Sequence, residues 1–277
     1  MTATQKIIKY LALSFAVFLV ITIISAILGG SYVLLNAFGL INSDENVMVT
    51  DELKVISGEV KEISTLKIEL ACTNLDIKTG SSFKVETNNQ KITFEEKNGS
   101  IKIKEKSLNW LTKNNVASNL TIYIPEDMMA IDETKLETGA GKINIEKLNT
   151  QGLYLKLGAG DVHIENLVVT KEANIDGGVG KTEIKSCEIN NLKANLGIGE
   201  FIFSGKLIGK NEIDSGIGAI NINLIDNREN YTINVSKGLG SVTLDGNKIE
   251  IDRVYGTGKN YLDIDGGVGE IKIDFKL

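Results

Sequence analysis

The chain has one proline, one histidine, one tryptophan and two cysteines in 277 residues, and aromatic side chains make up 6% of it. Each shortage removes a class of protein. A disulfide scaffold needs far more cysteine, and collagen needs abundant proline on a strict glycine triplet. A single histidine argues against histidine-dependent metal or acid–base chemistry. The charge balance, 30 basic against 36 acidic residues, has the wrong sign for a phosphate backbone, so no nucleic acid is expected as a partner. What is plentiful is glycine, 28 residues, beside 42% apolar residues, which is too apolar a mixture for a disordered linker.

Leu11 to Leu35 carry no charged side chain. A helix of that length spans about 37 Å, more than the ~30 Å hydrocarbon core of a bilayer. The reading is one N-terminal transmembrane helix over residues 11–36, held in the cell membrane. A cleaved signal peptide has an apolar region of about 7 to 15 residues and a small-residue cleavage site, which is not evident here. Lys6 and Lys9 precede the run, and Asp44 and Glu45 are the first charges after it. The positive-inside rule therefore puts residues 1–10 in the cytoplasm and everything beyond the helix outside the cell. That leaves 37–62 as an extracellular linker, 63–135 as an N-terminal β region and cap, and 136–277 as a repeat region. The part outside carries a net negative charge and gains nothing from anionic lipid headgroups.

Of the 28 glycines, 22 follow residue 138, and 14 of these fall in seven Gly-x-Gly triplets that begin at Gly139, Gly158, Gly178, Gly197, Gly216, Gly238 and Gly267. Their spacings are 19, 20, 19, 19, 22 and 29. A fixed period near 20 marks a repeat architecture. Within a repeat, apolar residues alternate and then change phase across the triplet: Leu153, Leu155 and Leu157 give way to Val162 and Ile164, and Leu192, Ala194 and Leu196 to Phe201 and Phe203. Period-two alternation is a strand with one buried face, and a one-residue slip turns that face to solvent unless the backbone bends. The triplet is therefore expected to be a corner. Its middle residue (Ala140, Ala159, Val179, Ile198, Ile217, Leu239 or Val268) continues the phase of the preceding strand and is expected to point inward.

Strand, glycine corner, second strand and polar turn in about 20 residues describe an all-β chain wound as a parallel β-solenoid, seven coils making a rod of roughly 34 Å. An antiparallel sandwich or propeller is the competing fold, but its hairpins favour Asn-Gly or Asp-Gly turns between alternating runs. The 29-residue gap, which holds Gly256 and Gly258 off phase, is expected to contain a loop insertion. Residues 105–118, around Trp110, are expected to be an excursion from the strand pattern.

A membrane segment, the run Leu75 to Gly80, the strand-Asn-Gly-strand run Phe94 to Ile103, the strand ending in Ile-Pro before a short hydrophobic turn (Ile122 to Met129), and the Gly-x-Gly repeats together resemble the bacterial putative-adhesin family of β-strand-repeat proteins, a domain of unknown function. The resemblance covers residues 63 to 277. It implies a β-solenoid fold, a cell-surface setting, occurrence beside envelope-stress regulators in Gram-positive bacteria, and no catalytic residues to carry over.

Several motifs invite a chemical reading. Gly177 to Thr182 looks like the end of a phosphate-binding loop, but Ile175 stands where that loop needs glycine, Asp176 would repel phosphate, and no helix pattern follows. No nucleotide is expected. Asp161, Asp263 and Asp265 beside glycines lack the period and register of calcium-binding repeats. His163 falls on an outward position, and arginine occurs only at Arg228 and Arg253. Trp110 and Tyr123, outside the repeats, read as a capping cluster or a binding tip. Cys72 and Cys187 could pair in an oxidising compartment, yet read at least as well as small buried hydrophobes. No catalytic residue, metal site or cofactor is assigned. The function expected is that of a non-enzymatic, membrane-anchored surface scaffold whose partner is a cell-wall component, a surface glycan or an envelope protein. The alternatives are an accessory regulator of envelope stress and a carbohydrate-active enzyme on a β-helix.

Overall fold

The computed structural model describes residues 49–57, 60, 62–106 and 118–276. The expected membrane segment 11–36 and Trp110 lie outside the described residues. No helix among the described residues is long and apolar enough to cross a membrane. Among the described residues the only helical element is a 3-10 turn, Arg228–Asn230; the rest of their regular structure is strand, giving an all-β, β-solenoid-like fold.

The alternation read from the sequence places the core. Strand Leu148–Ala159 buries Leu153 and Leu155, and strand Val162–Glu165, after the glycine corner, buries Val162 and Ile164. Each coil lies parallel to its neighbours with like residues in register: Leu155 against Leu136 on one side and Ile175 on the other. Inward side chains thereby form continuous columns, such as Ile145, Ile164, Ile184, Phe203, Ile222 and Ile273, all nearly or fully buried. Burying each of these contributes about 1.5–3 kcal/mol, and only stacking buries them.

The other corners use asparagine. Asn191 takes a positive φ of 52°, donates to the Lys171 carbonyl (2.9 Å) and accepts from the Lys210 amide (3.0 Å). Fully buried Asn211 accepts from the Leu192 amide (3.0 Å) and donates to the Tyr261 carbonyl (3.0 Å). Each such side chain satisfies backbone groups that the turning chain leaves without a ladder partner.

The order of the stack departs from the order of the chain at both ends. Strand Lys210–Ile225 pairs with Asn260–Val268 and Ile271–Lys276, the last coil in sequence, and that coil in turn pairs with Tyr231–Leu239 and Val242–Leu244. The C-terminal coil is thus inserted one level inside its predecessor. The 29-residue gap holds the return path, whose short strands Asn247–Lys248 and Val254–Tyr255 run antiparallel along the outermost coil. At the other end, Thr65–Leu70 and Asn74–Gly80 form a coil directly beneath Ile131–Ala140 and Ile143–Ile145. Ser100–Glu105 and Asn119–Pro125 lie beneath that coil, again out of chain order. Antiparallel strands Lys84–Asn89 and Ile92–Lys97 pair with this outer layer. Such coverage blunts the open edges of a parallel stack.

One expectation fails at three of the corners. The residue between the glycines is exposed there, Val179 to 56%, Ile198 to 43% and Ala159 likewise, whereas Ala140, Ile217, Leu239 and Val268 are half-buried. The inside of the vertex is already filled by Leu157 and Leu196 from the incoming strands and Val162 and Phe201 from the outgoing ones, leaving a void of about 30 Å³. With that space taken, the strand turns at the first glycine, and the middle side chain has only the convex side to occupy.

Candidate functional site

The glycine corner is the most regular surface feature of the molecule. A Cβ built at Gly199 would overlap the carbonyl oxygen of Gly180, and one at Gly218 that of Gly199. Both also hold φ at +149°, a region closed to other residues. The two glycine columns are therefore bare backbone in close contact, and the middle residues stand between them as a ridge. Register ties Ala140 to Ala159, Ala159 to Val179, Val179 to Ile198, Ile198 to Ile217, and Ile217 to Val268, with Leu239 on the outermost coil. Below Ala140 the ridge continues to Cys72, because Ala71 and Thr73 take the places of the two glycines beneath Gly139 and Gly141.

Both ends of this corner are closed by side chains. The Glu105 carboxylate accepts from the amides of Ala71 (2.7 Å) and Cys72 (3.1 Å) and from the side chain of buried Asn89 (2.9 Å). At the top, the Lys237 ammonium donates to the carbonyls of Ser241 (3.3 Å) and Gly269. Burial there pushes the Lys237 ammonium below its ordinary pKa. An open depression of about 470 Å³ runs beside the ridge, lined by Gly177, Asn195, Leu196, Gly197, Asp214 and Asp265 among others.

The residues singled out in the sequence are dispersed over this scaffold. Gly177 and Gly178 belong to the corner and Val179–Asn190 is a strand, so no helix N-terminus faces Lys181 or Thr182. Asp161 accepts from the Lys181 amide (3.2 Å), and Asp263 from the Asn234 side chain (3.0 Å). Among the described residues, no group of three or more His, Cys, Asp or Glu is placed to hold a metal ion. His163 is on the outer surface, but solvent is not its only partner: Nδ1 lies 3.0 Å from Glu183 and Nε2 3.1 Å from Glu165. Tyr123 donates to Glu86 (3.1 Å), with the Lys84 ammonium 4.3 Å from its ring centre. Arg228 pairs with Asp245 (2.8 Å) and Arg253 with Glu250 (3.2 Å).

Both cysteines are free thiols: Cys72 is exposed, whereas Cys187 is buried, donates to the Ser204 carbonyl (3.3 Å), and has its pKa pushed up to about 12 by burial. Elsewhere carboxylates interleave with lysines. Lys104 and Lys67, each 2.8 Å from Glu69, hold its pKa down to about 2. Hydrogen bonding to Glu172, then burial, raises the Tyr154 phenol to about 12. These shifts come from surface ladders of paired charges spread along the stack.

The ridge escaped the sequence reading because the middle residues keep the strand phase by count. A signal was nevertheless present, since charged residues recur three positions before and two after the middle residue.

Comparison with known proteins gives the family. Residues 63–274 match the family described as Toastrack DUF4097. Similar solved structures include a putative cell adhesion protein from Clostridium sporogenes, 17% identical over 81% of this chain and 99% of its own, with a TM-score of 0.36. A putative adhesin from Bacteroides fragilis is 17% identical, covers 82% of this chain and 100% of its own, and has a TM-score of 0.38. A putative lipid binding protein from Parabacteroides distasonis is 13% identical over 82% and 98%, with a TM-score of 0.34. No curated protein matches. With its model covering about three quarters of the chain, this protein belongs to the Toastrack DUF4097 family.

Proposed function

We propose that this chain is a non-enzymatic surface scaffold: a parallel β-solenoid held at the outer face of the cell membrane by one transmembrane helix over residues 11–36, and presenting a stiff, regular surface to a cell-wall component, surface glycan or envelope protein. The observation that carries the reading is the continuous, like-on-like stacking of coils around bare glycine columns. Such a stack has little freedom to close around a substrate, while its outer side chains stand in register at intervals of about 4.8 Å. The uncharged run at 11–35 and the lysines before it supply the anchor and its orientation. The test is deletion of the gene, with surface attachment and an envelope-stress reporter measured together. The scaffold reading predicts lost attachment with an unchanged reporter. Unchanged attachment with a shifted reporter would replace it with the regulatory role.

A further inference from the structure

Asn98 and Gly99 form the turn between strands Ile92–Lys97 and Ser100–Glu105, which pair antiparallel with Lys97 opposite Ser100. Both hold a positive φ, 52° and 76°, as the tight primed turn of a hairpin requires. This is the one Asn-Gly pair in the sequence. An asparagine before glycine carries a reaction of its own, because the following amide nitrogen can close a ring on the side-chain carbonyl carbon and glycine puts no Cβ in the way.

The surroundings set Asn98 apart from the asparagines at other turns. Asn191 shares its φ of 52°, but the amide that would attack it belongs to Leu192 and already donates to Asn211 (3.0 Å), while its own side chain is bonded to Lys171 and Lys210. Asn166, at φ 48°, donates to the Glu146 carbonyl (3.1 Å) and precedes Leu167. Asn88 and Asn89 are buried, and each precedes a residue with a side chain. The Asn98 side chain is exposed and makes no hydrogen bond to a described residue. One contact restrains the reaction: the Gly99 amide donates to a Glu96 carboxylate oxygen (3.2 Å). That nitrogen must give up its proton to attack, and a carboxylate beside it opposes negative charge there.

We propose that Asn98 is a modification site, converted by water to aspartate and isoaspartate, with Glu96 as the positioning residue that holds the conversion slow. The Gly99 nitrogen bonds to Asn98 Cγ as the Cγ–Nδ2 bond breaks, and Nδ2 leaves as ammonia with the proton from Gly99. Water then opens the succinimide ring at either of its carbonyls, so the net change is amide plus water to acid plus ammonia. Opening at the main-chain carbonyl leaves isoaspartate, which routes the backbone through the side-chain methylene. The lengthened chain falls where the cap is fastened to the stack. The Gly99 carbonyl accepts from the amides of Ser64 (2.9 Å) and Thr65 (3.4 Å), at the entry of strand Thr65–Leu70. Displacing that carbonyl frees the hairpin tip from the first coil.

The test is peptide mapping of the purified full-length chain in a non-denaturing detergent, held in mildly alkaline buffer and sampled over weeks. Conversion is read from the amide-to-acid mass gain at each asparagine and from a methyl-acceptor assay for isoaspartate. Asn98 should convert ahead of every other asparagine of the β-stack, and Glu96→Gln should speed it severalfold while Asn191 keeps the parent rate. Glu95→Gln, which removes a neighbouring charge not bonded to Gly99, should leave Asn98 at the parent rate. In the converted protein, amide exchange should quicken at Ser64 and Thr65 but not in strand Val162–Glu165. Another asparagine of the stack converting first would overturn the site. Glu96→Gln speeding Asn98 and Asn191 alike, or neither, would overturn the role of Glu96, and unchanged exchange at Ser64 and Thr65 would overturn the release of the cap.

Discussion

Glycine is abundant in this chain for two separable reasons, and substitution tells them apart. At Gly199 a side chain meets the Gly180 carbonyl and the backbone sits at φ +149°; at Gly246 φ is +72° with nothing within 4 Å of a built Cβ. Gly246→Ala therefore carries only the left-handed penalty of about 1–2 kcal/mol. Gly199→Ala adds a backbone overlap that the close-packed columns cannot relax, and is expected to cost about 3 kcal/mol or more. Urea denaturation of the two variants checks this: Gly199→Ala should have the markedly lower midpoint, and equal midpoints would mean that the columns are not in contact. The corner was legible in the sequence as a phase change between Leu157 and Val162. The direction of Val179 and Ile198 was not, because alternation counts residues along a strand, whereas the volume inside a vertex is set by side chains from other coils.

At the scale of elements, the period near 20 and the two-strand repeat were legible because each follows from neighbours in the chain. The stacking order was not. Coil 260–276 has the same inward pattern as coil 231–244, and either would fit against 210–225 by alternation alone. The 29-residue gap marks where the chain needs length to return, and its strands, two residues each in Asn247–Lys248 and Val254–Tyr255, are too short to show a period. The inserted coil has a measurable consequence. Asn260–Val268 has ladder partners on both sides, while Tyr231–Leu239 has a parallel partner on one side and a two-residue antiparallel strand on the other. Amide exchange should therefore be slower in 260–268 than in 231–239, although the former lies nearer the C-terminus. Fraying inward from residue 276, with 260–268 exchanging first, would contradict this order.

At the scale of the whole molecule, outward and inward residues alternate on a continuous stack and the exposed surface carries paired charges; we propose that this stack lies outside the cell. One measurement tests the central claim most directly. In a Cys72→Ala background, Asn223→Cys and Ile222→Cys place thiols one residue apart on opposite faces of the same strand, Ile222 being 1% exposed. A membrane-impermeant maleimide applied to intact cells should label Asn223→Cys as fully as it does after lysis, and should label Ile222→Cys only after denaturation. Labelling of Asn223→Cys only after lysis would place the stack inside the cell, and equal labelling of both residues in intact cells would mean that the strand does not have one buried face.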